Sequence, residues 1–293
     1  MAHTITMPNF IIIGAQRCGT TSLYKYLTKH PNIVPAQRKE SHFFDIYFQN
    51  GIDWYRAQFP ALHTKQLFNL IRLFGGFGKR PQYLVEFVHK IYYTLGVITR
   101  NSKEPLITGE ASPYYIFHPL SPNRIAQIMP HVKLIVLLRN PVNRAYSQFW
   151  HETRGKTEHL PFEEAIKREP ERLEGEREKL MNNKIHYSEA HQCHSYLARG
   201  IYVEQLKVWH SLFSREQMLI LCSEDFYANP PETLNRVLAF LELPSWTLKN
   251  YNPYRAGDYP QMNPIIRKQL VDYFRPYNES LYTYLGVDFG WER

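Results

Sequence analysis

Three short stretches of this 293-residue chain carry residue types that chemistry uses, at workable spacings. The first runs Gly14-Ala-Gln-Arg-Cys-Gly-Thr-Thr-Ser22, directly after the apolar run Phe10-Ile-Ile-Ile13. A glycine-bounded turn between a strand and a helix aims backbone N–H groups and the positive helix end at an anion. Arg17 adds fixed charge, and Thr20, Thr21 and Ser22 add hydroxyl donors. Ala15, Gln16, Cys18 and Gly19 complete the cradle. The loop has the Gly-x-x-x-x-Gly spacing of a nucleotide P-loop, yet Thr20 stands where that motif needs lysine. The cation sits inside the loop instead, at Arg17. This argues against ATP or GTP and for a nucleotide whose reacting group lies near its 5′-phosphate.

The second stretch is Lys39-Glu-Ser-His42, followed by Phe43, Phe44 and Asp45. In an extended segment, residues two apart point the same way, so Glu40 and His42 are expected on one side. A carboxylate beside cations stays ionised, and flanking phenylalanines limit water, which suits a general base. The same residues also read as a surface carboxylate paired with Lys39 and a hydrogen-bonding histidine. The third stretch places Arg139 and Ser147 eight residues apart, across a strand end and the helix after it. Together they offer a donor fork and a hydroxyl to a phosphate, or serve as a strand cap and a packed serine.

Other candidates are weaker. His186, His191, Cys193 and His194 fit no closed tetrahedral spacing, and no metal is expected. Cys18 lies near a helix end that would activate a thiol, but no histidine partner can be named for it. Asp45, Glu110 and Tyr114 are candidates for an acceptor cleft, since Glu110 ends an apolar run and α/β sheets bind ligands at such ends.

The elements that must hold these residues follow from periodicity. Short β-branched or leucine-rich runs predict buried strands over 9–13, 106–110, 133–138 and 218–222. Helical spacing is read over 19–27, 123–129, 142–151, 200–213, 231–241 and 263–274. Alternating strands and helices predict an α/β fold around a mostly parallel sheet. No repeat or low-complexity linker divides the chain, so one domain spanning 1–293 is expected. Two segments read as insertions. Residues 62–103 are aromatic and basic, expected as a lid or packed segment. Residues 152–190 are charged and expected to present a solvated helical face.

Composition bounds the function. Lys and Arg number 35 against 27 Asp and Glu, a formal charge of +8, with 44% hydrophobic residues. This excludes disordered, collagen-like and coiled-coil classes and points to an acidic partner. No apolar run approaches the roughly 20 residues of a membrane span. The start carries no secretory signal pattern, and Cys18, Cys193 and Cys222 are scattered, so a reduced, cytoplasmic protein is expected.

The glycine loop, Gly14 to Leu23, resembles the 5′-phosphosulfate-binding loop of sulfotransferases that use 3′-phosphoadenosine 5′-phosphosulfate (PAPS). The heparan-sulfate type and its stand-alone bacterial homologues are the nearest in pattern. Most of those loops carry lysine where this chain has Arg17, so the charge is kept but the guanidinium does not give up its proton. Lys39 to Asp45 resembles the segment that carries the catalytic base, and Leu137 to Ser147 is similar to the 3′-phosphate-binding strand and helix. Arg255-Ala-Gly257 resembles a late basic-glycine loop that closes over the nucleotide, and residues 277–291 look like the family's C-terminal helix and tail.

The resemblance implies a P-loop-like three-layer fold, PAPS as co-substrate and sulfuryl transfer to a glycan or small-molecule hydroxyl or amine. It implies Glu40 as general base, aided by Lys39, His42 and Arg17. Arg139, Ser147, Arg255 and Gly257 would then hold the nucleotide. No nucleic-acid partner is expected, while the basic segment leaves peripheral membrane contact open. Two rivals stand beside this reading. One is a P-loop phosphotransferase. The other is a non-enzymatic basic binder of nucleic acid or membrane surfaces, which leaves the glycine loop unexplained.

Overall fold

The apolar runs become the strands of a central sheet, β1 Phe10–Gly14, β3 Ile107–Ala111, β4 Lys133–Leu138 and β5 Met218–Cys222. A further strand, β2 Ile33–Pro35, joins β3 at the edge. The computed structural model describes residues 7–59, 106–182, 186–252, 254 and 258–291. The expected basic segment 62–103 and the residues Arg255 and Gly257 lie outside these.

The strand order is β2-β3-β1-β4-β5, and every pairing is parallel. Parallel strands need both faces covered. One set of helices, Thr20–Leu27, Ser223–Ala228 and Pro230–Phe240, packs together. Another set, Pro141–Gly155, Tyr202–His210 and Pro264–Leu285, forms a second group. Ile11, Ile12, Leu134, Ile135 and Leu137 are fully buried between the layers. Each such side chain contributes roughly 1.5–3 kcal/mol, far more than local propensity supplies.

The differences from expectation have physical causes. β2 has three residues, begins two positions after Pro31 and ends on Pro35, too short for an alternation to register. The last helix does not stop at Phe274 but runs from Pro264 to Leu285 through Pro276. An interior proline costs about 3 kcal/mol. Burial of Phe274 and Leu281 on either side, at roughly 1.5–3 kcal/mol each, offsets that cost.

The segment 152–190 folds into the short helices Phe162–Lys167, Glu169–Leu173, Glu176–Met181 and Glu189–Cys193. Glu163 and Glu171 face solvent as expected, but Glu158 and Glu169 are buried. Glu158 accepts from Arg172 at 2.6 and 3.2 Å and from the Tyr196 hydroxyl at 2.8 Å. Glu169 accepts from the N–H groups of Leu197 and Ala198 at 2.6 and 2.8 Å. These carboxylates pin residues 196–198 rather than solvate a face, because unpaired backbone donors at a buried turn would be costly.

Among the described residues, no helix is long and apolar enough to cross a membrane.

Candidate active site

The C-terminal ends of β2, β3, β1 and β4 lie side by side, and the three chemistry-bearing stretches leave from β1, β2 and β4. A cavity of about 580 Å³ opens there. Its walls include Gln16, Arg17, Gly19, Thr20 and Thr21 from the loop, Glu40, Arg139 and Ser147. Residues separated by more than a hundred positions therefore share one site, because the strand order places their strands together.

The loop's shape depends on Gly19, which has φ 92° and precedes the first turn of Thr20–Leu27. A Cβ there would also lie 2.9 Å from the Tyr227 hydroxyl oxygen. We expect Gly19→Ala to lower stability by about 1–2 kcal/mol, the usual penalty for a left-handed L-residue. Thermal melting checks this, and an unchanged melting temperature would show that the loop relaxes freely.

Arg17 also lies in the left-handed region, at φ 70°, and its Nε donates to Ser147 Oγ at 3.1 Å. Arg139 Nη1 donates to the Arg17 carbonyl at 3.2 Å. The loop cation and the strand-end pair thus form one cluster, not two separate sites. Ala15 is buried, and its N–H donates to Leu137 O at 2.8 Å, tying the loop to β4.

Two loop residues are used differently from expectation. The Ser22 hydroxyl is engaged by the Tyr254 backbone, accepting from its N–H at 3.0 Å and donating to its carbonyl at 3.4 Å. Cys18 is fully buried away from the cavity, its N–H donates to Ala15 O at 3.2 Å, and burial pushes its thiol up to about 11. That suits packing, not nucleophilic attack.

Lys39 bridges the loop and the second stretch. Its Nζ donates to Thr21 Oγ1 at 3.0 Å and is in contact with Glu40 Oε1. Glu40 Oε2 lies 3.3 Å from His42 Nε2, and His42 Nδ1 lies 2.8 Å from Asp45 Oδ2. Burial opposes the charged form of Glu40, but hydrogen bonds from His42 and Lys39 prevail and hold it at about 2. Burial likewise opposes a charged His42, but Asp45 and Glu40 prevail and push it up to about 10. Both ring nitrogens face acceptor-only carboxylates, so the imidazolium is the matching form.

His42 meets Glu40, but not through the expected extended geometry. With φ 51° it leaves the extended region, and its carbonyl accepts from the N–H groups of Ile46 and Tyr47. The turn is anchored from below by Glu110. That fully buried carboxylate accepts from Ser41 N, Tyr55 OH and Ser112 Oγ at 3.1, 2.7 and 2.7 Å. Burial raises its pKa. Glu110, Asp45 and Tyr114 are thus buried supports rather than cleft lining.

The cluster makes stability depend on pH. Glu40 is lowered from 4.5, so its contribution is present above that value and lost as pH falls toward about 2. His42 is raised from 6.5, so its contribution is complete below that value and lost as pH rises through about 10. Melting temperature should therefore fall from pH 6.5 toward 10, with part of the fall missing in His42→Gln. Equal alkaline slopes in the two proteins would count against the pairing.

Several lining residues escaped sequence reading. Asn143 and His151 flank Ser147 at spacings of four on the helix Pro141–Gly155, and all three line the cavity. That periodicity was the available signal. Ser223, Glu224 and Tyr227 follow the end of β5, and Tyr254 and Tyr259 complete the wall. Lys25 Nζ sits 4.1 Å from the Tyr254 ring centroid. Of the residues whose spacing fits no metal site, His191 Nδ1 lies 2.6 Å from the Tyr114 hydroxyl and His194 Nε2 lies 3.1 Å from Thr157 O.

Comparison with known proteins agrees with this architecture. A family model described as "Sulfotransferase domain" matches residues 7–270. Membrane-associated sulfotransferase kil1 of Dictyostelium discoideum is 27% identical, over 98% of this chain and 67% of its own. Heparan sulfate glucosamine 3-O-sulfotransferase 3A1 of Mus musculus is 26% identical, over 98% of this chain and 65% of its own. The chain spans only 30% of the bifunctional heparan sulfate N-deacetylase/N-sulfotransferase 1 of Caenorhabditis elegans, at 26% identity. The crystal structure of a sulfotransferase from Alicyclobacillus acidocaldarius superposes with a TM-score of 0.67 at 28% identity, covering 99% of this chain and all of that one. A family match across 7–270, with the same fold in a solved sulfotransferase, means that this chain belongs to the sulfotransferase family.

Proposed function

We propose that the chain, acting as a single domain, transfers the sulfuryl group of PAPS to an acceptor hydroxyl or amine on a carbohydrate or other hydroxylated metabolite. The observation that carries this reading is one cavity walled by the anion-binding loop, by Arg139 and Ser147, and by Glu40. The donor is a nucleotide with anionic groups at both its 3′ and 5′ positions, and the donor set matches it. Arg17, Lys39, the loop hydroxyls and the first-turn N–H groups suit the 5′-phosphosulfate. Arg139 and Ser147 suit the 3′-phosphate, with Arg255 and Gly257 as further contacts.

Glu40 accepts the acceptor's proton as the acceptor atom bonds to sulfur and the bond from sulfur to the 5′-phosphate oxygen breaks. Arg17 and Lys39 balance the charge that grows on that oxygen, which is where fixed electrostatics act best. Lys39 also sets the base. While it touches Glu40 it depresses the carboxylate, and when it turns to the donor Glu40 loses a cation and becomes more basic. His42, held by Asp45, keeps Glu40 oriented meanwhile.

A transfer screen with ³⁵S-PAPS across glycans, lipids and hydroxylated metabolites tests the reading and names the acceptor. Calorimetry separates it from a P-loop phosphotransferase. Tight binding of adenosine 3′,5′-bisphosphate without binding of ATP–Mg²⁺ is expected, and the reverse would overturn it. The likeness to heparan sulfate and membrane-associated enzymes makes glycans the first acceptors to try and keeps peripheral membrane contact in view.

A further inference from the structure

Arg199 is fully buried, and among the described residues no carboxylate forms an ion pair with it. Burying such a cation is expensive unless hydrogen bonds and aromatic faces compensate it. Its Nη2 donates to the carbonyls of His191 and Gln192 at 3.0 and 2.7 Å. Its guanidinium carbon lies 5.0 Å from the ring centroids of both Tyr114 and Phe117. With three sides held, Nη1 reaches Gln16 Oε1, a residue 183 positions away that lines the cavity.

A guanidinium only donates, so the Gln16 atom facing it must be the amide oxygen. The amide's other end is then a pair of N–H donors. Tyr114, under Arg199, adjoins Pro113, which lines the cavity together with Glu40. Gln16, next to Arg17 in the loop, thus lines the same cavity as Glu40. We propose that Arg199 is a positioning residue: by holding the oxygen of Gln16 it presents the amide NH2 group to the sulfuryl group being transferred. This rests on the sulfotransfer reading above. The competing role within the fold is that Arg199 only packs residues 191–199 against 114–117.

Affinities for PAPS and for adenosine 3′,5′-bisphosphate, which lacks the sulfuryl group, discriminate between the two. Calorimetry on the full chain, Arg199→Met, Gln16→Leu and the double variant supplies them. Each single variant should lose about tenfold more affinity for PAPS than for the bisphosphate, the usual worth of one hydrogen bond to a charged group. The double variant should lose no more than either single one. Equal losses for both ligands, or a full further loss when Arg199→Met is added to Gln16→Leu, would reduce Arg199 to packing. Should Arg199→Met not fold, Arg199→Lys takes its place in the same cycle with the same expectations. Lysine keeps the charge but lacks the fork that grips both carbonyls and Gln16 together. An unmodified chain that binds neither ligand would instead remove the sulfotransfer reading itself, so the two failures are told apart.

Discussion

Glu40→Gln is expected to lower kcat for sulfuryl transfer by about 10²–10⁴-fold, the usual share of a positioned general base. Adenosine 3′,5′-bisphosphate should bind as before. The substitution is close to isosteric, and the amide oxygen can still accept from Lys39. What is lost is a site for the acceptor's proton and one of the two carboxylates facing His42. The fold is held independently, since the turn at His42 hangs on Ser112 and the segment before it on Glu110. A near-normal kcat with a proven acceptor would remove Glu40 from the chemistry. His42 would then be the base to test, although as an imidazolium it first needs to lose a proton.

Lys39 gives this expectation a second edge. It connects the glycine loop to Glu40, touching Thr21 on one side and the carboxylate on the other. His42 and Lys39 together hold Glu40 at about 2, so on the proposed function an anionic donor that draws the ammonium away would remove one of the two lowering partners and make Glu40 more basic. Occupancy by the donor would thereby raise the basicity of Glu40 while His42 keeps it oriented.

How much of this was legible in the sequence depends on the physics of each part. β1, β4 and β5 were visible because strands buried on both faces read as unbroken apolar runs. The loop was visible because its glycines, hydroxyls and cation are contiguous. The convergence of the three stretches was legible only through the family resemblance, since it depends on strand order, and a β2-β3-β1-β4-β5 sheet leaves no local mark. The left-handed turn at His42 was hidden for another reason. No glycine or asparagine announces it, and it is imposed by hydrogen bonds from the Ile46 and Tyr47 N–H groups and by the one His42 N donates to Ser112 Oγ. Ser22 read as a ligand donor because its hydroxyl sits in the right place in sequence, while the fold brings Tyr254 to claim it. Buried Arg199 gave no signal at all, because an arginine after Ala198 looks like any surface cation.

Arg139→Ala is expected to shrink the preference for PAPS over its 3′-dephosphorylated analogue by about 100-fold, the worth of a strong charge-assisted pair. The side chain stands on a rigid base. β4 is paired on both sides, by β1 and β5, and the Arg139 carbonyl accepts from Tyr202 OH at 2.8 Å. Asn140 then caps the next helix through Val142 and Asn143, while its Nδ2 donates to Trp291 O at 3.0 Å. Glu224 closes the arrangement, accepting from Asn140 N and from Trp291 Nε1. Removing the guanidinium also frees the Arg17 carbonyl, so both nucleotides should lose some affinity in common. The ratio isolates the 3′ contribution from that shared loss. Arg139→Lys should recover part of the ratio through charge alone, without the fork. A ratio unmoved by Arg139→Ala would place the 3′-phosphate elsewhere in the cavity, and Ser147 would then be read as a support for Arg17 rather than as a ligand for the nucleotide.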